Sequence, residues 1–345
     1  MSTAQTPESL VRVTFLGDTL IGGEAQSVLD ERGTHWAFDG IQPLLATSDL
    51  VVANHEGPIT ELDQPQGKLD TGRKRYWYRA RRDCVDALLE AGVRVVSLAN
   101  NHVLDFGVEA LDETIRTLDG AGIAHCGAGP DRKAARRPAI VTAGKLQVGF
   151  VSFMQRYDLY MAEGVYARRE RPGPLRLDLP RAREDLARLA DRVDVPVALV
   201  HWGRNYKRRN PRQQRLAAHL VDFGARLVIG HHPHIAQPIE LIDGAVVCFS
   251  LGNGPLGTPG RFHSGRPPYG LVVSFDFDAH AHVRSVAVTP ILVDNAQIGF
   301  RPETADDVGA RRLMRKLLPE KLEWKANGNG TMVTTLPATT VSAPG

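Results

Sequence analysis

Ala225-Arg226-Leu227-Val228-Ile229-Gly230-His231-His232-Pro233-His234 decides how the chain is read. Its first five residues are a short, mostly apolar run closed by glycine, which reads as a buried strand with the histidines at its C-terminal mouth. Ligands of open α/β sheets bind at that edge. Three imidazoles within four positions offer nitrogen donors suited to Zn²⁺, Mn²⁺ or Fe, and the proline between two of them stiffens the turn. A lone histidine is more often a satisfied polar residue than a ligand. Here two further histidines and two carboxylates stand at the ends of other predicted strands, as a shared metal site needs.

Upstream of this stretch, Pro196-Val197-Ala198-Leu199-Val200 is a second buried strand, ending at His201-Trp202-Gly203. The basic run Arg204-Asn205-Tyr206-Lys207-Arg208-Arg209 comes next, and Pro211 opens a helix to Phe223. Downstream, Val246 to Leu251 is a strand ending in Gly252-Asn253, and Leu271–Phe277 with His282–Val288 completes a β-rich half. From Asn327 onward Gly, Thr, Ala and Pro carry no core pattern, so 327–345 is expected to be a flexible tail.

The first half repeats the theme. Val11 to Leu16 reads as a strand delivering Gly17-Asp18, where Asp18 is either a ligand or the cap of the next segment. Trp36 to Ser48 reads as a helix, and Asp49 to Ala53 as a strand ending in Asn54-His55-Glu56-Gly57-Pro58. Adjacent residues of an extended chain face opposite ways, so Glu56 or His55 points into the crevice, not both. A helix from Cys84 to Ala91 leads to the strand Val93–Leu98 and then to Ala99-Asn100-Asn101-His102-Val103-Leu104-Asp105. Helix 107–119, a hairpin of Ala139–Ala143 with Leu146–Met154, and helix 181–192 complete the regular elements.

Two segments resist a periodic reading. Leu62 to Arg82 carries Arg73-Lys74-Arg75 beside Tyr76, Trp77 and Tyr78, which suits either a solvated edge hairpin or a substrate-side loop for anionic or planar ligands. Tyr157 to Pro180, rich in Arg and Pro, is a lid, an oligomer contact or a long surface loop. Together the strand ends at Asp18, Glu56, Asn101, His201 and His232 are expected to converge on one edge of a mixed sheet. That makes 11–326 a single α/β domain behind a polar leader, 1–10.

With 345 residues, 43% hydrophobic and 23% charged, the composition is that of an ordinary globular protein. Forty-two basic residues against 39 acidic ones, a net charge of +3, exclude nucleic acid as a default partner and confine anion binding to local patches. Cys84, Cys126 and Cys248 lack C-x-x-C spacing and are odd in number, so buried reduced thiols are expected instead of a zinc ribbon or disulfide framework. Met1 to Leu10 has neither a basic nor an apolar signal region, and no run of about 18 apolar residues occurs. A cytoplasmic protein without a membrane partner is expected.

Gly17-Asp18, Asn54-x-Glu56-Gly57-Pro58, Ala99-Asn100-Asn101-His102-x-x-Asp105-x-Gly107, His201-Trp202-Gly203 and Gly230-x-His232-Pro233-His234-x-x-Gln237 occur in this order. In that combination, over about residues 11–300, the chain resembles the CapA/PgsA family. That family is named for bacterial capsule and poly-γ-glutamate synthesis and is related to the calcineurin-like metallophosphoesterases.

The resemblance implies a four-layer αββα sandwich with two divalent metal ions, Mn, Fe or Zn, at the C-terminal ends of the strands. It implies Asp18, Glu56, Asn101, His201, His232 and His234 as ligands, His102 as the catalytic histidine and Asp105 as the residue orienting it. Asn54, Arg204, Tyr206 and His231 border this set and are expected to contact substrate. Two departures stand out. Leu20 occupies a position where the phosphoesterases usually carry a histidine ligand, and Asn205 replaces a glutamate typical of the CapA pattern. The first points to a weakly held or missing second metal, the second to a rim that attracts anions.

The implied chemistry is metal-dependent hydrolysis of an anionic phosphoester or a γ-glutamyl or peptide amide, the substrate being a small molecule, a peptide or a polymer. The alternative is a non-catalytic metal-binding accessory protein of a polymer- or peptide-biosynthesis complex. A homodimer is left open, and nucleic-acid processing is the least favoured reading.

Overall fold

Val13 and Phe15 alternate with Arg12 and Thr14 in the strand Val11–Leu20, the period of a strand with one apolar face. In the computed structural model, which describes residues 10–66, 76–263 and 266–336, this strand lies near the middle of the larger of the two main sheets. It runs parallel to Leu50–His55, followed outward by Val93–Ser97 and Ala124–Cys126. On its other side it pairs antiparallel with Tyr269–Phe277, followed by Val283–Leu292. The smaller sheet runs Ile239–Ile242, Ala245–Cys248, Leu227–His231, Val195–His201, Leu146–Met154, Ala139–Ala143. Its four central strands are mutually parallel, so their C-terminal ends share an edge.

The sheets face each other across one apolar layer. Phe15 meets Phe275 edge-on at 5.7 Å and reaches Phe150 of the opposite sheet at 6.4 Å. Each fully buried ring of this kind is worth roughly 1.5–3 kcal/mol, so this layer holds the sheets together. Helices cover both outer faces. Leu88, Leu111 and Leu118 pack with Val51 and Val96 on the larger sheet, and Leu186, Leu189 and Leu220 pack with Val200 and Val228 on the smaller. The fold is therefore the four-layer αββα sandwich that the family resemblance implied.

The single mixed sheet expected from the strand ends is corrected. Asp18, Glu56 and Asn101 follow strands of the larger sheet, whereas His201 and His232 follow strands of the smaller. Periodicity reports which residues share a face of a strand, not which sheet the strand joins. The helix expected over Trp36–Ser48 is two short ones, Trp36–Asp39 and Gln42–Leu45, separated at Gly40, where a Cβ would strike the Pro302 carbonyl.

The tail expected from residue 327 begins inside a hairpin of Lys325–Asn327 with Thr331–Thr335, and the latter strand pairs with Val283–Leu292. Thr331 to Thr335 is rich in β-branched residues, and the Thr331 hydroxyl bonds that of Thr289 at 2.8 Å. Its shortness and the glycines at 328 and 330 hide it in the sequence. Residues 337–345, most of the polar leader (1–9) and the Arg73-Lys74-Arg75 run lie outside the described residues. Among the described residues no helix is long and apolar enough to cross a membrane.

Candidate metal centre

A bulge aims the first carboxylate. Between Phe15 and Asp18 the first strand carries one residue more than its partner, since Phe15 faces Val52 and Asp18 faces Asn54. The extra residue switches the face, so Asp18 enters the crevice between the sheets although Leu16 packs under the helices. Glu56 follows the next strand, its N–H donating to the Thr19 carbonyl at 2.9 Å. From the opposite sheet come His201, the last residue of its strand, and His232 and His234, in the turn after Leu227–His231.

His232 (φ 94°) and His234 (φ 56°) adopt left-handed backbone, a cost on the order of 1–3 kcal/mol each for residues with a side chain. The His232 N–H donating to Asp18 Oδ2 at 3.1 Å helps to hold this turn. Gly230 permits the approach beneath it, because a Cβ there would meet the Phe249 carbonyl and Trp202 Nε1.

These side chains form two donor groups that share one carboxylate: Glu56 with His201 and His232, and Glu56 with Asp18 and His234. Glu56 Oε1 lies 3.7 Å from His201 Nε2 and 3.9 Å from His234 Nε2, while Asp18 Oδ2 lies 3.3 Å from His234 Nδ1. The Asn101 carbonyl oxygen, 2.8 Å from His201 Nε2, adds an oxygen donor beside the first group. All six residues are at most 6% exposed.

Burial, reinforced by the charge on His234, holds His232 neutral at about 3, and burial with the neighbouring imidazoles lowers His201. Burial also works against a charge on His234, but Glu56, Asp18 and Asn253 override it and raise that ring to about 9. Burial would raise Asp18, yet His234, His231 and Asn54 bring it below the usual range. The unprotonated imidazoles of His201 and His232, with the carboxylates and an amide oxygen, suit a borderline divalent ion, whereas the ring of His234 must give up its proton to bind one. The buried Nδ1 atoms of His201 and His232 have no hydrogen-bond partner among the described residues, so these rings are not spent on structural bonds there. The residues present therefore fit a divalent ion.

Beside this cluster, His102 and Asp105 form a buried pair. His102 Nδ1 lies 2.7 Å from Asp105 Oδ2, and His102 Nε2 lies 4.0 Å from Glu56 Oε1. The Asn100 side chain accepts from the His102 N–H at 3.1 Å, fixing the tight turn that presents the ring. The ring of Tyr78 stacks on His102, centroids 3.8 Å apart, and its backbone N–H donates to Asp105 Oδ2 at 2.8 Å. Burial raises the Tyr78 hydroxyl well above its ordinary pKa, so it stays protonated.

Residues 12–254 match the family described as Bacterial capsule synthesis protein PGA_cap. The chain belongs to that family. The capsule biosynthesis protein CapA of Bacillus anthracis is 30% identical over 246 residues, 70% of this chain and 58% of that protein. The PGA biosynthesis protein CapA of Bacillus subtilis is 28% identical over 257 residues, 72% of this chain and 66% of its own length. A probable polyglutamine synthesis accessory protein of Mycobacterium tuberculosis is 35% identical over 239 residues, 67% and 58% respectively.

The chain thus spans about 58–66% of the length of these relatives. Among solved structures, a novel phosphatase from Mycoplasma pneumoniae is similar with a TM-score of 0.47 at 12% identity, over 84% of this chain and 96% of that one. The calcineurin-like phosphoesterase YfkN from Bacillus subtilis gives 0.45 at 15% identity, over 79% and 86%. Likenesses at this distance bear no weight for activity.

Within this PGA_cap chain, several bordering residues differ from expectation. Asn54, expected at the substrate, is fully buried and donates to Asp18 Oδ1 at 2.8 Å, because the two are register partners on adjacent strands. His231, also expected there, is buried with Nε2 3.2 Å from the Leu16 carbonyl, a link between the sheets. His55, the alternative to Glu56, is a core residue that burial keeps neutral at about 4, and its ring makes no hydrogen bond among the described residues. Leu20 lies in the apolar cluster under the helices and offers no donor.

Arg204 is exposed, and Tyr206, in left-handed backbone at φ 55°, sets its ring 5.6 Å from His234. Asn253, which the sequence marks only as a strand end, places Oδ1 3.0 Å from His234 Nδ1. Tyr157 donates its hydroxyl to the Gly203 carbonyl at 3.0 Å, with its ring 5.4 Å from His232. The start of the aperiodic 157–180 segment is therefore bonded against the site. Tyr78 falls in the stretch read as an edge hairpin or a substrate-side loop and Tyr157 opens the aperiodic segment, but their particular roles arise from contacts distant in sequence.

Proposed function

We propose that the chain is a metal-dependent hydrolase acting on an anionic substrate, either a phosphoester or a γ-glutamyl or peptide amide. The observation that carries this reading is the His102–Asp105 pair at 2.7 Å, set against the carboxylate shared by both donor groups. Binding alone has no use for an oriented acid–base histidine.

Glu56, Asn101, His201 and His232 would hold one divalent ion and Asp18, Glu56 and His234 a second, and such ions supply Lewis acidity and bring the pKa of a water toward neutrality. Asp105 keeps the Nδ1 proton of His102 in place and stabilises the imidazolium, which leaves Nε2 to give a proton to the departing oxygen or nitrogen. Tyr78 restrains the ring by stacking and caps Asp105 with its N–H. The exposed cations after His201 favour anionic substrates, in keeping with relatives named for capsule and PGA biosynthesis.

A second reading is an accessory protein that binds metal without turnover, favoured by the name of the mycobacterial relative and by Leu20. The two separate in one experiment. Protein purified without chelator is assayed for metal by mass spectrometry and then offered phosphomonoesters, phosphodiesters, γ-glutamyl amides and peptide amides. We expect hydrolysis of one class, reduced ~100-fold or more in His102→Gln. Metal-replete protein that turns over none of them would leave the accessory reading.

A further inference from the structure

A hollow of about 390 Å³ forms where the aperiodic segment folds back over the helix Arg132–Ala135. Six arginines line it, Arg132, Arg168, Arg169, Arg171, Arg176 and Arg181, with one carboxylate, Asp178. Asp178 is spent on two of them, 2.9 Å from Arg176 Nη2 and 3.0 Å from Arg181 Nη1. Arg169 reaches only its neighbour Glu170, at 3.9 Å. Among the described residues, Arg132, Arg168 and Arg171 make no ion pair with a carboxylate.

The backbone holds these charges together. The Arg132 N–H donates to the Arg168 carbonyl at 2.7 Å, and the Arg168 N–H to the Arg171 carbonyl at 3.0 Å across a tight turn. Gly173, at φ 145°, lets the chain pass the Val165 carbonyl, which a Cβ there would strike. The Leu175 N–H donates to the Gly127 carbonyl at 2.7 Å and the Met154 N–H to the Leu175 carbonyl at 2.8 Å, so the arginine turn is fixed to the end of the strand Leu146–Met154. The Arg171 Nε–H is buried with no acceptor among the described residues, and burial with the charge on Arg168 lowers that guanidinium below its ordinary pKa. Crowded like charges and an orphaned donor cost stability, which an anion in the hollow offsets.

All six cations are arginine, whose planar forks match phosphate oxygens in pairs. Three unneutralised guanidinia exceed what the two oxygens of one carboxylate satisfy, whereas a phosphate group presents three strong acceptor oxygens. A hollow of this size takes a small molecule, and Met161, Ala167 and Leu175 give it an apolar wall beside the charges.

Tyr166 belongs to the same wall, and its hydroxyl donates to the Gln155 carbonyl at 2.7 Å and accepts from the Tyr157 N–H at 2.9 Å. Tyr157 is the residue whose ring stands 5.4 Å from His232. The hollow and the metal centre are therefore joined through the Tyr157–Tyr166 link.

We infer that this hollow is a second anion site, separate from the metal centre, for a small molecule bearing a phosphate group, and that its occupancy braces the segment that sets Tyr157 against His232. Neither statement depends on the hydrolase proposed above.

The test is isothermal titration calorimetry of the whole protein with inorganic phosphate. Phosphate also binds metal ions, so the protein as purified is compared with chelator-stripped wild type and with Glu56→Gln. A binding event of the same affinity should appear in all three. Arg168→Gln/Arg171→Gln and, separately, Arg132→Gln should each weaken it about tenfold or more, the loss of at least one charge-assisted hydrogen bond, without a lower Tm. Amide hydrogen exchange of residues 157–176 should slow when phosphate is added to wild type and stay the same in the double variant.

Loss of the event with the metal, or unchanged affinity in both arginine variants, would overturn the site. Citrate binding to Glu56→Gln as tightly as phosphate would overturn the assignment to phosphate, and binding without slower exchange would overturn the bracing. Glycerophosphate binding to Glu56→Gln more tightly than the free ion would assign the hollow to an esterified phosphate, and the reverse order to inorganic phosphate; the site stands in both.

Discussion

Glu56→Gln is the sharpest perturbation of the metal centre, because both donor groups share this one carboxylate. An ion present at a hundredfold excess over its Kd stabilises the folded state by ~2.7 kcal/mol. With an unfolding entropy of about 2.1 cal/mol/K per residue, the 345-residue chain gains roughly 4 °C in Tm per ion. Two ions give roughly 7 °C. The assay is differential scanning fluorimetry with and without Mn²⁺ or Zn²⁺, paired with metal content by mass spectrometry. Wild type should show the full shift, His232→Ala about half of it with one equivalent retained, and Glu56→Gln less than about 1 °C with neither ion held. Two equivalents retained by Glu56→Gln, or a full shift in that variant, would refute the shared carboxylate and the arithmetic built on it.

Asp105→Asn removes a buried charge-assisted hydrogen bond of about 1.5–3 kcal/mol, so kcat on whichever substrate is hydrolysed should fall between roughly 10- and 150-fold. KM and metal content should stay the same, and a loss of metal instead would make Asp105 a structural residue. Burial raises all three thiols, Cys126 to about 12, so a thiol reagent should label none in the native protein and three after denaturation. Arg12 grips Asp276 with two bonds, at 2.7 and 2.9 Å, and Ser285 donates to the same carboxylate. Asp276→Asn should cost ~1–2 kcal/mol at pH 7, with Arg12 about a third exposed and its solvent screening discounted. The folded Asp276 lies below its ordinary pKa, so this contribution is full above about pH 4 and is lost as pH falls through the lowered value. Urea titrations should show the two proteins converging in acid.

Much of the site is legible because its residues end apolar runs. A strand reveals itself by its period, and the polar residue after it must sit at a sheet edge, which is how Asp18, Glu56, Asn101, His201 and His232 declare themselves. The burial of Asn54 is not legible in the same way. It shares a face with Glu56, but only its register against Asp18 decides that its amide is spent there. His231 differs from His232 by one position, and backbone turned left-handed at His232 sends one ring toward Leu16 and the other into the donor cluster. Tyr78 lies in a stretch without periodicity, so its stack on His102 has no local signature.

By itself the sequence determines the long apolar strands and amphipathic helices, which polar residues close them, and the chemical kind of the donors, because hydrophobic period, capping and turn chemistry act over a few residues. The tertiary structure alone decides that those strand ends belong to two facing sheets, that a bulge turns Asp18 into the crevice, and that Glu56 serves both groups. It also gathers Arg132, Arg171 and Arg181 into one hollow. The physical reason is that register, sheet membership and charge clustering are settled by packing between segments tens to hundreds of residues apart, where burial of the inter-sheet layer outweighs any local preference.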